Sequence, residues 1–319
     1  MTKAALGFLG PLGTFTHEAA NNLLGEPEEL APLGSVAEVY QAVSAAHADT
    51  GGELTAGVVP IENTVEGYVV PSLDQLLAAP DVVAVDQTVL DISFTAMRIR
   101  GDDSAPTAVV SHPHGLAQCR NYIAELGLPA IESSSNAAAC RDLKPGQIAL
   151  GPKICQELYD RVEVAAAVED FHGARTRFLR IAHRSQARQW LARHSAAGAA
   201  EQLATMLAIT PDTAGPGVLS HVVNSFGDRG INLTSLITRP LKATEGRYAF
   251  VFTMDGHPAG PALRAAVQSC LDQGYWVKLL GFFPVSASTA DLDLSAAVPA
   301  GSVHQGAPSA DIARELLWQ

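Results

Sequence analysis

The sequence contains no run of about 18 or more apolar residues, the length a membrane-spanning helix needs, so a membrane protein of that kind is not expected. Cysteine is sparse. Cys119, Cys140, Cys155 and Cys270 lie far apart with no CxxC spacing, the pattern of reduced, mostly buried thiols in a cytoplasmic protein. Basic residues are few as well. The 21 Lys and Arg against 33 Asp and Glu leave a net charge of −12, the wrong sign for a nucleic-acid face, and no helix-turn-helix stands out. Neither GxGxxG nor a Walker loop occurs, which disfavours nucleotide binding. Ser111-His112-Pro113-His114 has two histidines but no third ligand pattern such as HExxH, so no metal is expected. No Ser/His/Asp or Cys/His order supports a covalent mechanism. Near the N-terminus only Lys3 precedes a short apolar stretch that Gly10-Pro11 breaks, which reads as a first strand and not as a secretory leader.

A chain of 319 residues with 47% hydrophobic content is long enough for two domains. Its negative charge gives anions no long-range steering. An anionic ligand must be held by local devices: backbone N–H groups, helix N-termini, or one or two arginines.

From Ala4 to about Ala182, short apolar runs alternate with helical patterns. Strands are expected at Ala4–Leu9, Gly57–Val59, Thr107–Val110 and Ile148–Leu150, with a long β-rich stretch from Val82 to Ile99. Helices are expected at Thr14–Leu24, around Val36 to Val43, near Ser72 to Ala78, at Leu116–Leu126 and at Asn136–Leu143. This is an α/β signature with mostly parallel sheets, in two blocks with a cleft between them. Gln186 to Glu201, rich in Ala, Arg and Ser, looks like a connector. A second unit of about 80 residues then reads βαββαβ, a ferredoxin-like order: strands at Leu203–Ile209, Ile231–Ile237, Tyr248–Phe252 and Tyr275–Phe283, helices through Leu219–Phe226 and Leu263–Leu271. Beyond Pro284 the Ala, Ser, Pro and Gly content reads as a mobile tail with a helical turn near Ile312 to Leu317.

Five polar clusters sit where strands end or begin. Gly10-Pro11-Leu12-Gly13-Thr14-Phe15-Thr16 is either an ordinary capped turn or a carboxylate cradle with Thr14 as cap. Pro60-Ile61-Glu62-Asn63-Thr64 is either a loop with Asx-turn chemistry or a site where Glu62 and Asn63 bond a hydroxyl or carboxylate. Ser111 offers a capping or substrate-binding hydroxyl, with Gln118 further along the same helix. Glu132-Ser133-Ser134-Ser135 caps a helix or forms a second anion cradle. Arg175-Thr176-Arg177-Phe178 is either a solvated strand start or a functional group of two arginines and a hydroxyl.

Taken in order, these stretches resemble the prephenate dehydratases: Gly10-Pro11-Leu12-Gly13-Thr14-Phe15, Val59-Pro60-Ile61-Glu62-Asn63, Ser111-His112-Pro113 with Ala117-Gln118-Cys119, and Thr176-Arg177-Phe178. The following unit resembles an ACT domain, through Pro216-Gly217-Val218-Leu219, Asn232-Leu233-Thr234 and Leu280-Gly281-Phe282-Phe283-Pro284. Each motif is weak alone; their order and coverage, Ala4 to Pro284, make the resemblance specific. It implies a catalytic domain at 3–184 of two-lobed, periplasmic-binding-protein-like (type II) form, a linker at 185–201, an ACT regulatory domain at 202–284 and a tail at 285–319.

The resemblance implies a cytoplasmic lyase that converts prephenate to phenylpyruvate, carbon dioxide and water in phenylalanine biosynthesis, without a cofactor. Thr176, Arg177, Glu62 and Asn63 are the implied catalytic residues. Thr14, Ser111, Gln118, Glu132 and Phe178 are the implied substrate contacts. Arg177 orients the site or pairs with a substrate carboxylate. L-Phenylalanine is the implied effector, bound between subunits of a homodimer or homotetramer at Leu219, Asn232 and Leu233. Two positions depart from the family pattern. Ala174 stands where Asn is frequent, so Thr176 needs polar support from elsewhere, with Asn63 or Gln118 as candidates. Ile237-Thr238-Arg239-Pro240 replaces the frequent Glu-Ser-Arg-Pro. Arogenate in place of prephenate stays open, and so does a non-catalytic small-molecule sensor of the same layout.

Overall fold

A computed structural model describes residues 4–25, 28–46, 54–196, 202–213, 215–241, 247–285 and 302–303. The apolar run Ala4–Leu9 is strand β1. Pro11, which has no N–H to donate, follows its end, and the Thr14 hydroxyl accepts from His17 N at 3.2 Å to start helix α1, Phe15–Asn22. Next come β2 (Glu28–Leu33), α2 (Val36–Ala45), β3 (Leu54–Asn63), β4 (Gly67–Tyr68), α3 (Val70–Ala78) and β5 (Val82–Asp91). The chain then builds β6 (Thr95–Ile99), β7 (Ala108–Ser111), α4 (Pro113–Gln118), α5 (Arg120–Leu126), β8 (Ala130–Glu132), α6 (Asn136–Arg141), β9 (Gln147–Gly151), α7 (Cys155–Leu158) and β10 (Arg161–Ala165). It returns through β11 (Arg175–His183) and α8 (Ala187–Ala196), and continues as β12 (Leu203–Thr210), α9 (Val218–Gly227), β13 (Leu233–Pro240), β14 (Tyr248–Asp255), α10 (Pro261–Asp272) and β15 (Trp276–Pro284).

The strands form two sheets. The larger runs β13-β14-β12-β15-β5-β11-β3-β1-β2, with β4 paired to β3; the smaller runs β10-β6-β9-β7-β8. The expectation of mostly parallel sheets needs correcting, because both are mixed. β1, β2 and β3 pair in parallel, but β11 inserts antiparallel between β3 and β5. The cause is the route of the chain: it leaves the larger sheet through β5 and comes back from the smaller one through β11. In the smaller sheet β7, β8 and β9 are parallel, and β6 runs against both β9 and β10.

Two local readings also change. The helix expected over Leu116–Leu126 is two helices broken at Cys119. The Asp170 carboxylate accepts from Arg120 N (3.0 Å) and Asn121 N (2.9 Å) and starts α5 afresh, a cap from 50 residues away that no local pattern reveals. The connector is helical over Ala187–Ala196, and its Trp190 and Leu191 pack on the core below the larger sheet. The tail expected beyond Pro284 lies outside the described residues, except for Val285 and 302–303.

Residues 203–284 pack through the two faces of one sheet. Ala204, Met206 and Ala208 face α2 and α3, joining Val39, Tyr40, Leu73 and Leu76; Leu207 and Ile209 face α9 and α10. This is the period of two that a strand covered on both sides requires. β15 meets β5 at the single pair Gly281↔Ala84, where a Cβ on Gly281 would stand 2.6 Å from that of Ala84. Only glycine lets the two strands approach.

One buried ion pair ties β2 to β11. Arg180, 4% exposed, donates from Nη1 to Glu28 Oε2 (3.0 Å) and from Nη2 to Glu28 Oε1. Burial by itself pushes the Glu28 carboxyl up. Arg180, with Gly25 N and the Thr55 hydroxyl, more than offsets this and holds it below the usual range. A carboxyl depressed in the folded state contributes stability above its unfolded pKa and loses it as pH falls through the folded value. Glu28→Gln, which leaves Arg180 buried without a counter-charge, is therefore expected to cost about 3–5 kcal/mol in urea denaturation at pH 7. The gap from wild type should shrink below about pH 4.

Candidate active site

A cleft of about 610 Å³ opens between the two sheets, where the C-terminal ends of β1, β3, β7 and β8 converge. Its walls include Thr14, Phe15 and Thr16 at the start of α1, Asn63 at the end of β3, Glu66 in the turn that follows, and Thr176 and Phe178 on β11. The opposite wall includes His112, His114 and Gln118 around α4, and Ser135, Asn136 and Arg141 of the α6 segment. Phe15 and Phe94 meet edge to face at 5.6 Å, and with Phe178 they give the cleft an apolar, aromatic part.

Thr176 is 8% exposed, yet its side chain reaches the cleft. Asn63 lies opposite it in the β3–β11 register and donates from Nδ2 to Thr176 Oγ1 at 2.9 Å. The polar support that Ala174 does not supply comes from Asn63. The orientation of that amide is fixed from behind. Asn63 Oδ1 accepts from Val65 N (2.7 Å) and Glu66 N (3.1 Å), an Asx turn at the tip of the β3–β4 hairpin. With its oxygen occupied, Asn63 can present only N–H to Thr176. The Thr176 oxygen accepts that bond, and its own proton is left to donate into the cleft. Two further bonds lock the strands beside it: Thr64 N to Arg175 O and Arg175 N to Thr64 Oγ1, both 2.9 Å.

Arg177 and Glu62 face the other way. Successive side chains on a strand alternate, so with Thr176 and Phe178 in the cleft, Arg177 lies on the reverse face. There it pairs across the register with Glu62, Nε to Oε2 at 3.8 Å, beside Tyr68. Neither lines the cleft. The expected direct contact between Arg177 and a substrate carboxylate does not fit this geometry.

On the second wall, Ser111 is fully buried. Its hydroxyl donates to Leu150 O (2.7 Å) and lies 3.0 Å from Asn136 Oδ1, which also accepts from His112 N (3.2 Å). Asn136, which lines the cleft, is thus held by His112 N, while Ser111, its proton given to Leu150 O, packs behind it and is not itself a lining residue. Glu132, exposed at the end of β8, is outside the lining too. Gln118 does line it, and from there Nε2 reaches Glu66 Oε1 (3.4 Å) across the cleft, while His114 Nδ1 stands 3.5 Å from Glu66 Oε2. Burial, then the neighbouring His114, lowers the pKa of His112 against the opposing pull of Glu132. His112 Nδ1 accepts from His114 N (3.3 Å), so neutral His112 carries its proton on Nε2.

Arg141, Asn136 and Glu66 were not anticipated. Arg141 is the only Lys or Arg among the described lining residues. It is held in a bidentate pair with Asp142, Nε to Oδ1 at 2.9 Å and Nη2 to Oδ2 at 2.8 Å, which also raises its pKa. The signal was present: Asn136 and Arg141 stand on the helix that Ser133-Ser134-Ser135 opens, a cluster read as caps or an anion cradle without the helix residues that follow it. Among the described residues, no group of three or more His, Cys, Asp or Glu is arranged to hold a metal ion. All four cysteines are free and buried, and among the described residues no helix is long and apolar enough to cross a membrane.

The expected effector residues do not meet within one chain. Leu219, at the start of α9, borders a cavity of about 220 Å³ with Val218, Tyr248 and Phe250. Asn232 and Leu233 lie beyond the opposite end of α9, where Asn232 Nδ2 donates to Asp255 Oδ2 at 2.8 Å.

Fold and cleft define an α/β protein with a small-molecule site at converging strand ends. The family described as prephenate dehydratase matches residues 6–186. The prephenate dehydratase of Amycolatopsis methanolica is 32% identical over 286 residues, 87% of this chain and 88% of that one. The solved prephenate dehydratase from Staphylococcus aureus subsp. aureus Mu50 aligns with a TM-score of 0.72 at 29% identity, covering 88% of this chain and 99% of that chain. The prephenate dehydratase from Arthrobacter aurescens, solved in complex with L-Phe, aligns with a TM-score of 0.73 at 25% identity, covering 92% and 96%. The chain belongs to the prephenate dehydratase family.

The second wall is packed tightly enough to test. A Cβ on Gly115 would stand 2.5 Å from Ser111 Oγ and 2.7 Å from Asn136 Oδ1. Gly115→Ala is expected to displace Asn136 and to lower kcat/KM for the substrate by roughly 10-fold or more. The far-ultraviolet circular dichroism should stay unchanged.

Proposed function

We propose that this chain catalyses the decarboxylating dehydration of prephenate to phenylpyruvate, and that the Thr176 hydroxyl in the cleft assists the departing oxygen. The observation that carries this reading is the Asn63–Thr176 hydrogen bond, which leaves the Thr176 proton free to donate. The reaction breaks the bond between the ring and its carboxylate. That electron pair moves through the diene and expels the ring hydroxyl, which takes up a proton and leaves as water. Aromatisation supplies the driving force. A threonine hydroxyl is too weak an acid to ionise, and the Asn63 amide behind it cannot replace a lost proton, so Thr176 stabilises the leaving oxygen by donating a hydrogen bond while the proton that completes the water comes from solvent. Positioned assistance of this type contributes about 10²–10⁴-fold.

The substrate is a dianion and the protein is acidic. In our reading the aromatic part of the cleft takes the ring, Arg141 takes one carboxylate, and the α1 N-terminus at Thr14–Thr16 supports negative charge. His112 and Gln118 add hydrogen-bond donors. Glu66, the only carboxylate among the described lining residues, is engaged by Gln118 and His114. Arg177 and Glu62 act on the reverse face of the strands that hold Thr176 and Asn63.

Residues 3–184 form the catalytic domain in this reading, with the two-lobed, periplasmic-binding-protein-like layout, and 185–201 link it to an ACT regulatory domain at 202–284. The element order β12-α9-β13-β14-α10-β15 and the sheet order β13-β14-β12-β15 support the ferredoxin-like assignment. Phenylalanine as effector is supported by the L-Phe complex of the Arthrobacter aurescens relative. From Leu219 to the far end of α9, beyond which Asn232 lies, is about 12 Å of helix, so one small ligand touching both needs a second copy of the chain. A cytoplasmic homo-oligomer is the corresponding cellular form.

The test is phenylpyruvate formation from prephenate, with arogenate as the competing substrate. Thr176→Ala should lose at least about 100-fold in kcat while folding normally. Arg141→Gln should raise KM for prephenate by roughly 10-fold or more with a smaller change in kcat. Added phenylalanine should lower the rate. Near-wild-type turnover by Thr176→Ala would remove that hydroxyl from the mechanism.

A further inference from the structure

We propose that Tyr68 and Ser235 form a positioning contact, through which residues 203–284 hold the Asn63–Thr176 pair in its working geometry. The proposal rests on the role given above to Thr176. Its basis is the row of side chains that alternates along β13. Ser235, Ile237 and Arg239 all turn toward the first domain. The Ser235 hydroxyl lies 2.7 Å from Tyr68 Oη. Ile237 packs on the core cluster that also receives Tyr68. Arg239 clamps Asp74 of α3, Nε to Oδ1 at 2.9 Å and Nη2 to Oδ2 at 3.0 Å. Of these three contacts, the one made by Ser235 leads to the reacting centre.

Tyr68 is the end of the short strand β4. Its backbone is paired with Glu62, and the neighbouring pair is Gly67 with Asn63. Between the two strands lies the tight turn whose Val65 and Glu66 N–H groups hold the Asn63 amide oxygen. Fixing Tyr68 therefore fixes the hairpin, the hairpin fixes the Asn63 amide, and the amide orients the Thr176 hydroxyl. Two strand residues make a weak element by themselves. An anchor at the phenol end has a clear physical task. Burial raises the Tyr68 phenol above its ordinary pKa, so the group stays neutral and hydrogen-bonded through the neutral pH range. Thr253, the register partner of Ser235, also stands at the phenol.

Steady-state kinetics of the full-length enzyme test this with Tyr68→Phe, Ser235→Ala, the double variant, and Tyr68→Phe in an Asn63→Ala background. Loss of the contact should lower kcat about 3–10-fold in Tyr68→Phe, with KM for prephenate within about twofold. The double variant should be no worse than the poorer single one, because both remove one bond. In the Asn63→Ala background Tyr68→Phe should have no further effect on kcat, a result that general destabilisation would not give. Unchanged kcat in Tyr68→Phe would overturn the proposal, as would losses that multiply in the Asn63→Ala background. The Thr176 reading fails separately, on an active Thr176→Ala. An inactive Thr176→Ala beside a wild-type kcat in Tyr68→Phe would sink the positioning contact alone.

Discussion

The Asn63 amide has its oxygen occupied by two backbone N–H groups and its nitrogen turned to Thr176 Oγ1 at 2.9 Å. That one bond decides which way the Thr176 proton can point, and most of the surrounding structure serves it. The β11 strand has to run antiparallel beside β3 to bring residue 176 opposite residue 63. The chain therefore has to leave the larger sheet, build the smaller one and return. The mixed topology is thus the arrangement that closes the cleft and also sets the register of its most important pair. The reverse faces of the same two strands carry Arg177 and Glu62, and the contact from β13 arrives on that side.

Charge imposes the second constraint. An acidic protein that binds a dianion cannot rely on its overall field, and few cations are placed at the cleft. Arg141 brings one guanidinium, already shared with Asp142, and Glu66 brings an opposing carboxylate engaged by Gln118 and His114. In the proposed binding mode most of the anion's stabilisation falls to neutral donors: helix N-termini, amides and imidazole. Such dipoles are fixed by the fold and need no reorganisation during the reaction.

Much of this was legible in the sequence. Apolar periodicity located most of the helices and the buried strands, because those elements are defined by what they bury. The βαββαβ order of residues 203–284 could be read directly. The lack of a polar residue at 174 pointed to Asn63 or Gln118 as the support for Thr176, and the bond is made by Asn63. Other features were not readable because distant residues make them: the Asp170 cap that divides α4 from α5, and the insertion of β11 between β3 and β5. Arg177 is a different case. The period of two in a strand already placed it opposite Thr176 and Phe178, and the motif was read as a unit when its residues serve two faces. Ser111, polar and at a strand end, was read as a capping or substrate-binding hydroxyl, and the family resemblance made it a substrate contact. Its complete burial is a tertiary fact.

The direction of the Asn63–Thr176 bond is the claim on which the mechanism turns, and Asn63→Asp tests it most directly. A carboxylate of nearly the same shape accepts where the amide donates, and so draws the Thr176 proton away from the cleft. The account predicts a lower kcat for Asn63→Asp than for Asn63→Ala at neutral pH, with partial recovery as pH falls and the introduced carboxyl protonates. A kcat for Asn63→Asp equal to or above that of Asn63→Ala across the whole pH range would contradict it.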